Sequence, residues 1–237
     1  MPVRADDKIM VGDRKFETAY ERMGRTWLGL GNLRSACWFV GLEPGGSEPA
    51  DWPERWVRRF GAAEVIDPRG DTADPNTLAL FGPAAKLQKT WAALIRLRLA
   101  YAGEAADGAS CLAYQREKFV SSDGGEAALE LSSYEARNLQ VETPRERYRE
   151  ARIKRIRELI AKCRPEIVVC YGLSSRSYFE VLCGGPFDRD GFRWLDKTLC
   201  ALTTHPTPRF RPASSPQYWI DLGAEMKQRR HAQCGGQ

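Results

Sequence analysis

Two residues in this sequence are suited to acid–base chemistry, Glu43 and His205. Glu43 follows an apolar run at residues 38–40 and opens a turn of sequence Pro-Gly-Gly. Its carboxylate can take a proton from water, and the glycines would let the backbone come close to a ligand because they lack a Cβ atom. His205 is one of two histidines and is followed by Pro206. The alternatives are an exposed glutamate on an ordinary turn and a structural histidine.

Four apolar runs predict the strands that would position these two groups. Bulky and β-branched side chains fill both faces of a buried strand, and here they recur at residues 36–40, 127–131, 167–171 and 197–203. Helical patterns separate the runs, and this alternation predicts a parallel sheet covered on both faces. We therefore expect an α/β fold, a three-layer α/β/α arrangement around a four-stranded parallel sheet. It would form a single domain over residues 1–237, with a core at about residues 36–223.

Apolar periodicity and turn signals predict the helices. They are expected over residues 13–33, after Pro83 to about residue 99, from Thr143 to Arg164, over residues 174–183, and from Pro216 to about residue 230. Residues 64–76 are rich in Asp, Pro and Gly and are expected to form a surface loop. Residues 187–196 are expected to form a hairpin or a loop.

The composition is globular and gives no sign of a membrane protein. Apolar residues make up 43% of the 237, the net charge is +5, and no apolar run reaches the about 18 residues of a membrane span. The N-terminal sequence lacks the apolar segment of a secretory signal, so we expect a cytoplasmic, intracellular protein. The seven cysteines are scattered without a C-x-x-C pair, so we expect no metal site and no cofactor.

Polar segments follow each of the four predicted strands. They are Glu43-Pro-Gly-Gly, Ser132-Ser-Tyr, Gly172-Leu-Ser and His205-Pro-Thr-Pro. Ligands of open parallel sheets bind beyond the carboxyl ends of the strands, and these four segments would meet there. The sequence therefore predicts a ligand site in which a glycine-rich carboxylate loop lies near a histidine.

These segments resemble motifs of the uracil-DNA glycosylase superfamily. Its members carry a strand that ends in a Gly-x-(Asp/Asn/Ala)-Pro-x loop and a later strand that ends in His-Pro-Ser. Here Gly41-Leu-Glu-Pro-Gly45 and His205-Pro-Thr207 occur in the same order. Residues 78–82 and 86–91 resemble the family's base-stacking stretch and the helix after it, and residues 167–172 resemble its third strand. The resemblance covers roughly residues 36–223.

The resemblance implies a DNA glycosylase that hydrolyses the N-glycosidic bond of a flipped, damaged base such as uracil. Glu43 would orient or activate water against C1′ of the sugar, where positive charge develops. His205 would donate a hydrogen bond to a carbonyl oxygen of the leaving base. DNA, single- or double-stranded, would be the partner of a monomeric protein.

The resemblance also implies which residues contact the substrate. The base would be bound by Gly41, Leu42, Pro44, Gly45, Phe81, Ser132 and Ser133. The DNA strand would be bound by Pro206, Thr207, Arg209, Phe210 and Arg211. Phe81 would stack on the flipped base, and Phe210 would act as a wedge between two phosphate-binding arginines. Core packing for Phe81 and an exposed turn for residues 209–211 are the alternatives.

Two departures from the family pattern leave the function open. Many members read uracil with an asparagine where this chain has Ser132 and Ser133, and a hydroxyl discriminates between bases less well than an amide. Glu43 is also longer than the aspartate of some members. A non-catalytic module that binds nucleic acid or nucleotides is the first alternative. The second is a small-molecule hydrolase or nucleotide-processing enzyme with the same architecture.

Overall fold

A computed structural model describes residue 19 and residues 21–42, 58–61, 63–70, 75–133, 148–206 and 214–234. Its centre is a seven-stranded sheet with the strand order β3-β1-β4-β2-β5-β7-β6. The strands are β1 (Gly29–Gly31), β2 (Cys37–Gly41), β3 (Val65–Ile66), β4 (Glu126–Glu130), β5 (Ile167–Tyr171), β6 (Phe192–Leu195) and β7 (Thr198–Thr203). Strand β2 pairs in parallel with β4 and β5, and β5 pairs in parallel with β7.

The α/β class is confirmed, but the expected four-stranded, all-parallel sheet is wrong in detail. The four predicted strands form the centre, and three short strands extend the sheet on both sides. Of these, β1 is antiparallel to β4 and β6 is antiparallel to β7, so the sheet is mixed. Strand β1 falls within the helix expected over residues 13–33, whose described helical part is residue 19 and residues 21–26.

Strand β1 escapes prediction because it contains two glycines, which are depleted in strands. Both are required by the close approach of β4. A Cβ atom on Gly29 would lie 2.0 Å from the carbonyl oxygen of Ala128, and Gly31 has a φ of +98°. Strand β3 has only two residues, too few to show a strand pattern within the expected loop.

Besides short helical segments at residues 21–26 and 58–60, the described residues form six helices that pack on or next to the sheet. They are α1 (Pro75–Phe81), α2 (Lys89–Ala102), α3 (Gly108–Glu117), α4 (Arg149–Cys163), α5 (Arg176–Leu182) and α6 (Pro216–Cys234). Single 3₁₀ turns occur at Pro68–Gly70 and Leu173–Ser175. Helix α3 was not expected. It begins after Asp107, whose carboxylate accepts hydrogen bonds from the backbone N–H groups of Ala109 and Ser110.

Two apolar clusters lie on opposite faces of the sheet. Alternate residues of a strand point to opposite faces, so Phe39 and Val169 pack with α2, α3 and α6. Trp38 and Val168 pack with α4 and α5 on the other face. Burial of a side chain such as Phe39 stabilises the fold by about 1.5–3 kcal/mol. Within the ranges given above, no helix is long and apolar enough to cross a membrane.

A buried arginine on α4 fixes the carboxyl end of β4. Arg152 is 1% exposed, and its guanidinium donates to the carbonyl oxygen of Glu130 from Nη2 at 2.7 Å and from Nε at 3.2 Å. It also donates to the carbonyl oxygens of Gly24 and Trp27. Arg152 therefore joins α4, the last residue of β4 and the segment that precedes β1.

Candidate active site

The last residues of the four central strands form a polar row on the sheet face that carries α2 and α6. Gly41 is paired with Glu130, and Tyr171 is paired with Thr203. In the pairing of β2 with β5, Val40 is the partner of Cys170. The next residues along the two strands, Gly41 and Tyr171, therefore lie side by side. We call Glu130, Gly41, Tyr171 and Thr203 the edge row. It lies at the carboxyl edge, where parallel sheets bind their ligands.

A hydrogen bond in the edge row passes over Gly41. The Tyr171 hydroxyl donates to Oε1 of Glu130 at 3.1 Å. A Cβ atom on Gly41 would lie 2.4 Å from both the Tyr171 hydroxyl oxygen and Oε2 of Glu130. Glycine is therefore required at the end of β2 because the side chains of its two neighbouring strands meet there.

Tyr171 is 6% exposed, and its hydroxyl remains protonated. Burial raises the pKa of Tyr171 well above its ordinary value, and the negative charge of Glu130 raises it further. The phenol is consequently a hydrogen-bond donor at every physiological pH. Thr203 continues the row through a 2.5 Å hydrogen bond between its hydroxyl and that of Tyr218 on α6.

His205 lies directly beyond the edge row, two residues after β7. Its ring meets the ring of Tyr171 edge-on, with 5.6 Å between the centroids and 67° between the planes. The imidazole is half-buried, and this burial lowers the pKa of His205 from its ordinary value of 6.5. A neutral imidazole has one N–H donor and one acceptor nitrogen, so His205 can donate one hydrogen bond to a ligand without adding a charge.

The structure brings together two of the predicted site residues, Gly41 and His205, which both contact Tyr171. Ser132 and Ser133 follow β4 and are buried. The Ser133 hydroxyl has no hydrogen-bond partner among the described residues. Leu42 packs against the apolar cluster on the α4 face instead, and Pro206 is buried. The remaining predicted residues lie outside the described ranges: Glu43, Pro44, Gly45, Thr207, Arg209, Phe210 and Arg211.

Phe81 lies in a packed cluster at the end of α1. Its ring centroid is 5.5 Å from that of Trp91 and 4.2 Å from the guanidinium carbon of Arg69. Arg69 in turn donates to the carbonyl oxygens of Gln115 and Phe119. These contacts agree with the packing alternative for Phe81, and its stacking on a base stays a prediction.

Glu130 and Tyr171 are the two site residues that sequence reasoning missed. Both lie inside predicted strands, where the sequence analysis gives them no functional role. The available signals are that Tyr171 ends its apolar run directly before Gly172, and that Glu130 is the one charged residue of the run at residues 127–131. Strand periodicity and register then place them on the same face, on either side of Gly41.

The described residues contain no group of three or more His, Cys, Asp or Glu side chains that could hold a metal ion. A scan against protein-family models finds no match for this chain, and a search of curated proteins finds none either. The functional proposal therefore rests on the edge row, on His205 and on the sequence motifs that flank them.

Proposed function

We propose that the protein is a DNA glycosylase-like hydrolase that cleaves the N-glycosidic bond of a flipped, damaged base. The observation that carries this proposal is the position of His205 against Tyr171, whose hydroxyl lies over Gly41 at the carboxyl edge of the sheet. Glu43 follows Gly41 by only two residues in the sequence. The two groups suited to acid–base chemistry thus follow strands β2 and β7, which are separated in the sheet only by β5.

The proposed reaction breaks the bond between C1′ of deoxyribose and a ring nitrogen of the base. The bonding electron pair leaves with the base, whose carbonyl oxygen gains negative charge and accepts a hydrogen bond from neutral His205. Water adds to C1′ and gives up its proton to Glu43. The base then takes a proton from solvent and Glu43 releases the one it took from water, which leaves a free base, an abasic sugar and an ionised Glu43.

Tyr171 acts as a positioning residue in this proposal. Its ring edge contacts His205, and its hydroxyl is held by Glu130, so the orientation of the imidazole is linked to two strands of the sheet. A hydrogen-bond donor contributes most to catalysis when it is already in place before the reaction. The hydrogen bond over Gly41 would supply this preorganisation.

The test is a panel of labelled oligonucleotides, single- and double-stranded, that carry uracil, hypoxanthine or xanthine. Abasic product is measured after alkaline cleavage. We expect Glu43→Gln and His205→Ala to reduce the rate about 100-fold or more. Glu104→Gln, an exposed glutamate on the loop after α2, serves as the matched control and should leave the rate unchanged.

Substitutions of Tyr171 test its positioning role separately. Tyr171→Phe keeps the ring and removes the hydroxyl, whereas Tyr171→Leu also removes the ring edge that contacts His205. We expect the Leu variant to lose about 10-fold more activity than the Phe variant, because small misplacements of a catalytic group are costly. The NMR signals of the His205 ring should broaden or shift in the Leu variant. Equal rates and unchanged signals would show that the ring contact has no positioning role.

Two outcomes would replace the proposal. If DNA binds with salt-sensitive affinity, yields no abasic product and is indifferent to Glu43→Gln, the protein is a non-catalytic binding module. If free nucleosides bind or react and oligonucleotides do not, the site belongs to a small-molecule enzyme.

A further inference from the structure

A cavity lies at the amino edge of the sheet, opposite the edge row. It has a volume of about 440 Å³ and is bounded by Cys37 at the start of β2, by Glu166 before β5, and by the C-terminal parts of α2 and α6. We call it the amino-edge cleft. Cys37 and Gly41 are the two ends of β2, so the cleft is about 13 Å from the edge row along the strand. It plays no part in the glycosylase proposal.

The amino-edge cleft is lined by three permanent cations, Arg98, Lys227 and Arg230. Lys227 donates to the carbonyl oxygen of Ala102 at 3.3 Å, and Arg230 donates to the carbonyl oxygen of Lys197. Arg230 also interacts with the Tyr101 hydroxyl. These contacts use one donor of Lys227 and two of Arg230, while a lysine has three and an arginine has five. Both side chains of α6 therefore keep unused donors at the cleft.

One carboxylate, Glu166, also lines the cleft. Its Oε2 accepts a hydrogen bond from the Tyr101 hydroxyl at 2.5 Å. Among the lining residues three cations face this one carboxylate, and two further carboxylates, Glu104 and Glu126, act on Arg98 from outside the lining. The lining itself therefore carries a net positive charge. Such a cavity attracts small anions.

Arg98 is the cation whose own partners are weakest. Its Nε is buried and has no hydrogen-bond partner in the described ranges, and the nearest carboxylate oxygen, Oε2 of Glu126, is 3.8 Å away. That carboxylate already accepts hydrogen bonds from the Tyr114 hydroxyl at 2.6 Å and from the Val120 N–H at 2.7 Å. A partly desolvated guanidinium with unused donors is costly unless an acceptor is supplied.

The backbone beside Arg98 leaves room for the guanidinium. A Cβ atom on Gly125 would lie 2.5 Å from Nη2 and 3.0 Å from Nε, so the side chain lies directly against this glycine. The guanidinium is thus held in a fixed place at the cleft, while its Nε has no hydrogen-bond partner among the described residues. An oxyanion is the ligand that a planar, preorganised guanidinium binds best.

We propose that the amino-edge cleft binds a small phosphorylated molecule, with its phosphate group between Arg98, Lys227 and Arg230. A phosphate monoester carries about two negative charges and three acceptor oxygens, which match three cations that have spare donors. The volume of the amino-edge cleft, about 440 Å³, is within the usual range of small-molecule sites. It exceeds what a phosphate group alone would fill. The rest of the ligand would occupy the remainder of the cleft, next to Tyr101.

Calorimetric titration tests the proposal with adenosine 5′-monophosphate, ribose 5-phosphate and inorganic phosphate as probes and adenosine as the uncharged control. We expect the phosphorylated probes to bind, adenosine not to bind, and the affinity to fall as salt is added. Arg98→Met should weaken binding about 10-fold or more, because a charge-assisted hydrogen bond is lost. Arg96→Met, on the same helix but outside the cleft lining, should bind as the unmodified protein does.

Arg98 is also the ion-pair partner of buried Glu126, so Arg98→Met could lose binding because it folds poorly. A second variant that leaves Arg98 in place separates loss of the site from loss of the fold. The double variant Lys227→Met, Arg230→Met changes only side chains of α6 and should also lose binding. Failure of all phosphorylated probes to bind the unmodified protein would overturn the proposal, and so would cleft variants that both bind the probes as tightly as the unmodified protein does. So would binding of a 5′-phosphorylated oligonucleotide alone. Glycosylase activity should be the same in every cleft variant.

Discussion

Gly41 is the residue around which the carboxyl edge is built. The side chains of Glu130 and Tyr171 meet over it, and a Cβ atom there would lie 2.4 Å from an oxygen of each. The Tyr171 hydroxyl donates to the other carboxylate oxygen of Glu130, Oε1, so the two side chains cannot move apart without breaking this hydrogen bond.

We predict that Gly41→Ala lowers the free energy of unfolding by about 1–3 kcal/mol, the usual cost of overpacking. Denaturant titration followed by circular dichroism measures the change. Gly108→Ala is the matched control, because a Cβ atom on this glycine meets nothing within 4 Å. It lies at the start of α3, where alanine is a better helix former, so the control should be neutral or slightly stabilising. Equal effects of the two substitutions would contradict the crowding described at Gly41.

The pKa of His205 makes the stability of the fold depend on pH. Burial lowers the pKa of its imidazole in the folded protein, so the unfolded chain binds a proton first as the pH falls. The stability linked to this histidine is fully present above about pH 6.5 and is lost as the pH falls from there towards the lower folded-state pKa.

We expect NMR titration of the His205 ring to give a pKa below 6.5. The stability of the unmodified protein should also fall more steeply below about pH 6.5 than that of His205→Asn, whose side chain does not titrate there. Glycosylase activity that uses neutral His205 should stay constant from about pH 8 to about pH 6.5. A measured pKa above 6.5 would show that the folded site favours the imidazolium instead.

At the scale of the elements, Arg152 determines how α4 is attached to the end of β4. Its buried guanidinium donates to backbone carbonyl oxygens in two separate segments, at Gly24 and Glu130. Loss of the guanidinium would leave these buried acceptors without their donor, which costs free energy for each of them.

We predict that Arg152→Met lowers the free energy of unfolding by about 3–5 kcal/mol, as expected when one partner of a buried charged network is removed. Lys154→Met, two residues further along the same helix and exposed, should change it by less than about 0.5 kcal/mol. Thermal and denaturant unfolding of both variants provide the comparison. A small effect of Arg152→Met would mean that water replaces the guanidinium at these carbonyl groups.

Some strands and helices of this fold are predictable from the sequence, and others are not. Strands β2, β5 and β7 are continuous apolar runs buried on both faces, and such runs are a strong signal. Helix α4 ends at Cys163, directly before the Arg164-Pro165 stop signal. Strand β1 is held by its contact with β4 rather than by its own residues, and β3 is too short for any pattern. Tertiary contacts form these strands, so local sequence could not indicate them.

The candidate site was only partly predictable for a related physical reason. His205 and Gly41 were identified because a histidine and a glycine have distinctive chemistry at strand ends. Glu130 and Tyr171 gain their importance from the register between strands, which joins residues 41 positions apart. Pairing of distant strands is decided by the whole fold, and no local pattern specifies it.

At the scale of the whole molecule, the core contains a group of thiols that the folded structure should protect from alkylation. Cys170 and Cys183 have their sulfur atoms 3.9 Å apart, and Cys200 lies in the same apolar cluster. Burial raises the pKa of the Cys170 thiol, which keeps it in the unreactive thiol form. Five described cysteines are buried, and Cys163 is partly exposed.

We predict that alkylation by iodoacetamide reports global unfolding in a Cys163→Ser, Cys234→Ser variant. The five remaining thiols should react together, at a rate set by opening of the fold, and the reaction should accelerate in denaturant. Mass spectrometry counts the modified residues at each time. The unmodified protein is the reference, in which Cys163 should react before the five buried thiols. Fast modification of Cys170 in native buffer would show that this face of the sheet opens locally.

The hydrogen bond that passes over Gly41 also limits how this chain can change during evolution. The side chains at positions 41, 130 and 171 compete for the same small space. A residue larger than glycine at position 41 therefore requires a shorter side chain at position 130 or 171. Related chains should therefore show correlated replacements at these three positions, with glycine kept wherever tyrosine and glutamate are kept together. Such covariation would identify homologues of this site even where the loop motifs have diverged beyond recognition.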